Sequence, residues 1–152
     1  MMPASTATPI TEGRLVLDTN VVVSALLWGG PPRYLRNLAL DGQVVLVSSP
    51  VLMAELHRIL NYPRLTKRLV QLDTSGAELV QQYQAIVTLV HPFDVPRVVS
   101  NDVDDDHVVA AAVVGQVEMI VSGDRDLLQL QSHAGIAILN ARDAWERIAA
   151  QR

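Results

Sequence analysis

Four short runs constrain the fold more than anything else in the chain: "RLVLD" (14–18), "VVLVSS" (44–49), "EMIVSG" (118–123) and "IAILN" (136–140). Each is too short for a helix, and several are nearly all apolar. Strands that face water on one side alternate polar with apolar; near-continuous apolar strands are those covered on both faces. Helix-like stretches separate them, and strands alternating with helices specify an α/β domain built on a mostly parallel sheet, with helices on both faces.

The helical stretches carry recognisable stops and starts. "TNVVVSALLWGG" ends at Gly29-Gly30-Pro31-Pro32, and "PRYLRNLALDG" (32–42) closes on Gly42. "SPVLMAELHRIL" (49–60) has Ser49 placed to cap and Pro50 at the first helical position. Residues 63–72 and 74–89 read as two further helices, the second running toward a strand near 87–91. "DDHVVAAAVVG" (105–115) is a helix despite its valines, because aspartates favour the positive N-terminal end. A short helix is expected over 124–130 and a closing one over 141–151.

A chain of 152 residues fits one domain, here 13–152, with "MMPASTATPITE" (1–12) as a disordered tail. Aromatic residues make up only 4%, so Val, Leu, Ile and Ala must fill the core. The tail has neither the basic start nor the apolar segment of a signal peptide, and no apolar run approaches the ~18 residues of a membrane span. With no cysteine, disulfides and thiolate metal sites are excluded, which fits a reducing, cytoplasmic setting. A net charge of −4 argues against a non-specific nucleic-acid coat, though not against an enzyme that meets phosphate through a cation.

The acidic residues have a pattern. Asp18 ends the first strand, Asp124 follows the strand "EMIVS", and Asp105 and Asp106 open a helix. Glu55 lies early in the helix that follows "VVLVSS". In an open parallel sheet, ligands bind beyond the carboxyl ends of the strands where the strand order reverses, so these acids are expected at one edge. Gathered carboxylates are costly without a neutralising cation, and an all-oxygen donor set suits Mg²⁺ or Mn²⁺. That chemistry points to phosphodiester or phosphoryl transfer. Each signal has a plainer reading by itself: "DTN" as an Asx-turn, the Asp102–Asp106 cluster as a solvated loop, Glu55 as a surface residue, "SGDRDL" as a helix cap.

Other chemistries lack their residues. The four histidines share no metal-ligand spacing, no serine sits in G-x-S-x-G, and no glycine-rich phosphate loop occurs. A phospho-acceptor domain would need a lysine at a late strand end, whereas the single lysine, Lys67, falls in a helix. Arg58, Arg64, Lys67 and Arg68, with Tyr62 among them, form the most basic stretch and are the candidates for RNA contact.

"LVLDTNVVVSALL", "SPVLMAELHRIL", "DDDHVVAAAVVG" and "MIVSGDRDLL", in this order and spacing, resemble the PIN-domain family, and within it VapC-like toxins of bacterial and archaeal toxin–antitoxin systems. The resemblance implies a metal-dependent ribonuclease for single-stranded RNA, with Asp18, Glu55, Asp106 and Asp124 as catalytic, Mg²⁺- or Mn²⁺-holding carboxylates. Asp105 and Asp126 are further candidates, and the triple Asp104-Asp105-Asp106 leaves the third register open. Asp106 is preferred there because it directly precedes the apolar helix. Asn20 and Ser122 would orient the carboxylates or water. The resemblance further implies a homodimer and a small antitoxin partner. The competing reading is a non-catalytic PIN-fold module that binds RNA or a protein without cleaving.

Overall fold

The computed structural model describes residues 13–99 and 103–151; the expected tail lies outside them. Six strands form one sheet in the order β3-β2-β1-β4-β6-β5. They are β1 (Arg14–Leu17), β2 (Val45–Ser48), β3 (Val87–Leu89), β4 (Met119–Val121), β5 (Ser132–His133) and β6 (Ile136–Leu139). All pairings are parallel except β5 with β6. The helices are α1 (Thr19–Leu27), α2 (Pro31–Leu40), α3 (Pro50–Leu60), α4 (Thr66–Gln71), α5 (Gly76–Ile86), α6 (Val103–Val114), α7 (Arg125–Leu128) and α8 (Ala141–Ala150). Among the described residues no helix is long and apolar enough to cross a membrane.

The two faces of the sheet carry separate cores, as the apolar strands require. Leu15, Leu17, Leu46, Met119 and Val121 point to the face that packs α1, α2, α3, α5 and α8. Val16, Val47, Ile120 and Ile138 point to the other, where α6 lays down Val108, Val109, Ala111 and Ala112. Small residues on α6 let the helix sit close, and Gly115 marks the tightest approach. A Cβ there would stand 2.7 Å from Val47 Cγ1 and 2.8 Å from the Ala111 carbonyl oxygen. Gly115→Ala is therefore expected to cost about 1–3 kcal/mol by overpacking, read as a lowered urea midpoint at unchanged slope. A variant as stable as the parent would mean that α6 is not held against β2.

The expected elements differ from the observed ones in three places. Residues 63–72 are a single 3₁₀ turn (Pro63–Leu65) followed by α4. The helix expected over 74–89 stops at Ile86, where Val87, Thr88 and Leu89 pair with β2. The two-residue β5 was not expected; it folds back on β6 through Ala134 and Gly135, both at positive φ.

β1 is the pivot of the topology. The chain leaves it for β2 and β3 on one side, then returns through α6 to β4 on the other. The order reverses between β1 and β4, and a crevice opens beyond their carboxyl ends.

Candidate active site

At that crevice the first two acids are tied to the sheet. The Asp18 N–H donates to the Val121 carbonyl at 2.8 Å, extending the β1–β4 ladder to the residue itself. Ser122, fully buried, donates its hydroxyl to Asp18 Oδ2 at 2.7 Å and accepts the Asp124 N–H at 2.9 Å. One hydroxyl thus fixes both strand-end acids. Asp124 spends Oδ1 on the Asp126 N–H at 2.7 Å, capping α7.

Two helices bring the other acids. Ser49 caps α3 through the Leu52 N–H at 3.3 Å, and Glu55 follows in the second turn, 9% exposed. Asp104 and Asp105 stand in the first turn of α6. A pocket of about 160 Å³ is lined by Asp18, Asn20, Glu55, Arg58, Ile59, Tyr62, Asp104, Asp105 and Asp124. Among the described residues, five carboxyl groups face it against the guanidinium of Arg58, which lies 3.8 Å from Glu55 Oε2.

Asp106, the preferred third acid, is not in this pocket. Its Oδ1 accepts the N–H groups of Val98 and Val99, each at 2.7 Å, and its Oδ2 lies 2.8 Å from Arg97 Nε. Successive helical residues point about 100° apart, so turning Asp105 toward the strand ends turns Asp106 toward the segment preceding the helix. The register expected from sequence is corrected accordingly: Asp104 and Asp105 join Asp18, Glu55 and Asp124, and Asp106 anchors residues 97–99. Asp126 does not line the pocket. Arg97 carried no sequence signal, since its partner lies nine residues ahead.

The basic candidates are divided. Arg58 lines the pocket, and Arg64 stacks over the Tyr62 ring, 5.6 Å from its centroid. Lys67 is exposed on α4. Arg68 is turned away: it donates Nε to the Leu27 carbonyl at 2.8 Å and lies over the Trp28 ring, tying α4 to the end of α1.

Burial, with neighbouring charge added to it, raises the proton affinity of two of these acids. Burial pushes Asp18 above its usual value, with Asp124 adding to the rise, while the Ser122 hydroxyl and the N–H groups of Asn20 and Thr19 pull the other way. Burial likewise lifts Glu55, pushed up to about 7; Thr19 opposes the rise, and Asp104 and Asp18 add to it. Asp106 behaves oppositely: burial disfavours its charge, but the Val99 and Val98 N–H groups and Arg97 outweigh it and hold the carboxyl below its usual value.

These directions give a test. An acid whose folded pKa is raised stabilises the fold below its unfolded pKa, and that contribution fades as pH rises through the folded value. For Glu55 the window runs from 4.5 to about 7. In EDTA, Tm is expected to fall across it, and Glu55→Gln to flatten the slope. At alkaline pH Glu55→Gln should be the more stable by roughly 1–2 kcal/mol, a figure reduced for solvent screening at the pocket mouth. Identical pH profiles would show that Glu55 is not crowded.

The donor chemistry fits a hard divalent cation. The acids are oxygen donors, and burial with the charges of Asp104 and Asp18 beside it raises Glu55 even with Arg58 at 3.8 Å. As the side chains stand, no three Asp, Glu or His groups among the described residues are drawn together closely enough to hold one ion. The residues that would do so are Asp18, Glu55, Asp124 and the α6 pair.

No curated protein and no solved structure matches the chain. The PIN domain profile matches residues 14–126, from the first residue of β1 through the start of α7, a span that contains every acid of the pocket. The chain belongs to the PIN-domain family.

Proposed function

We propose that this chain is a divalent-metal-dependent endoribonuclease that hydrolyses phosphodiester bonds in single-stranded RNA. PIN domains are generally nucleases and typically use divalent metals, which gives the class. The observation that carries the reading for this chain is the pocket at the strand-order reversal, which five carboxyl groups line and where burial, with Asp104 and Asp18 adding to it, pushes Glu55 up to about 7. Asp18, Glu55, Asp124 and Asp105, with Asp104 beside them, would hold Mg²⁺ or Mn²⁺. Such an ion supplies an activated water and charge neutralisation at the scissile phosphate. The chain's own groups do the rest: Ser122 fixes the strand-borne pair, Asn20 stands at the pocket wall, and Arg58 offers a cation to an adjoining phosphate.

The resemblance of the four motifs supports a narrower role. On that reading the protein is the toxin of a toxin–antitoxin pair, acts in the cytoplasm as a homodimer, and is neutralised by a small protein partner. Growth arrest on induced expression, relieved by co-expressing the neighbouring gene, is the outcome expected.

The activity is tested with a labelled single-stranded RNA pool in EDTA, Mg²⁺ or Mn²⁺. Cleavage that appears with either metal and stops in EDTA is the expected result. RNA binding without cleavage in every metal would replace the enzyme with a non-catalytic binding module.

A further inference from the structure

The rim of the acidic pocket carries a feature that the acids do not account for. Tyr62 lines the pocket and is 37% exposed. It sits just past the end of α3, its N–H bonded to the Ile59 carbonyl at 3.0 Å, and Pro63 follows at the start of the 3₁₀ turn. The backbone on both sides of the ring is therefore fixed. The Arg64 guanidinium lies over the ring at 5.6 Å. Arg58, one turn back on α3, also lines the pocket and interacts with the Tyr62 hydroxyl.

A polyanion approaching five carboxyl groups is repelled unless the rim supplies both cations and apolar area. Here one cation stands at the hydroxyl edge of the aromatic ring and the other over one of its faces, so a base would meet the ring on the opposite face. That pairing matches the alternation of a nucleotide chain, in which a phosphate, a flat base and another phosphate recur in order. Base-on-aromatic stacking tolerates any base, because every base has a π face, but it requires the base to be out of a duplex.

We propose that Tyr62 is a nucleobase-stacking subsite beside the proposed cleavage site, with Arg58 and Arg64 contacting the flanking phosphates. This rests on the nuclease reading and adds to it a physical reason for single-strand selectivity. A strand enters with one unstacked base on Tyr62, and the neighbouring phosphate is delivered to the carboxyl groups. In a duplex that base is held by its neighbours and cannot reach the ring.

The test separates binding from cleavage. Binding of a fluorescein-labelled twelve-nucleotide RNA of mixed sequence is followed by anisotropy in EDTA. Tyr62→Ala is expected to weaken it roughly tenfold, with Tyr62→Phe close to the parent. The same strand without bases should bind as weakly as the parent strand binds Tyr62→Ala, and should not respond to that substitution. In metal, Tyr62→Ala should raise KM and leave kcat nearly unchanged. Equal affinity of Tyr62→Ala and parent, equal sensitivity of the base-free strand, or no measurable binding by the parent would each overturn the subsite. Should Tyr62-dependent binding persist with no cleavage in any metal, the subsite stands and the nuclease reading fails.

Discussion

Asp18→Asn is expected to lower metal-dependent RNA cleavage by roughly 10²-fold or more while leaving the protein folded. Asparagine keeps the shape and an oxygen that can accept the Ser122 hydroxyl, so the link at 2.7 Å has a replacement. The backbone bond from residue 18 to the Val121 carbonyl is untouched. What is lost is the negative charge, at a position where burial already disfavours it. Without metal, the Tm of the variant should therefore equal or exceed that of the parent. With Mg²⁺ or Mn²⁺ it should gain less, because a ligand stabilises a fold only as far as it binds. Parallel measurement of cleavage rate and Tm in EDTA and in metal checks all of this. Full cleavage by a folded Asp18→Asn protein would sink the carboxylate site.

Asp106 should respond in the opposite manner. Asp106→Ala is expected to cost about 1–3 kcal/mol, since it strands two N–H groups and removes a buried carboxylate from the solvent-exposed Arg97. Both N–H groups donate to the same oxygen, Oδ1, and Val99 is buried with them. Asp106→Asn can still offer that oxygen but faces Arg97 with an amide, so its loss should be smaller, about 1–2 kcal/mol. Because the carboxyl is held below its usual value, its contribution is present above the unfolded pKa and is lost as pH falls through the folded one. Urea unfolding of the two variants measures the difference. If Asp106→Asn instead abolished cleavage at unchanged stability, the residue would act in the reaction and not as an anchor.

The contrast between Asp18 and Asp106 shows what the sequence could convey. Asp18 and Asp124 were legible because a strand has a definite end, and the residue just beyond it emerges at the sheet edge whatever the rest of the chain does. Glu55 was legible for a related reason, since its helix starts at a strand end and is capped by Ser49. The triple aspartate was not. Three successive helical residues point in three directions, and which one meets the strand ends depends on how α6 is rotated against the sheet. That rotation is set by contacts with the rest of the fold, among them those of Val108 and Val109 in the second core and the Asp106 bonds to Val98 and Val99. The alternation of strands and helices disclosed the parallel sheet for the same local reason that it missed β5. Two residues, Ser132 and His133, hold no period, and only the partner strand defines them.

The edges of that sheet limit how this protein can join another copy of itself. Its outermost strands are short, three residues in β3 and two in β5. An edge so brief offers a neighbouring backbone few unpaired groups, which makes it a poor template for strand addition and a poor seed for aggregation. Strand addition at these edges is therefore disfavoured as a way of pairing two chains.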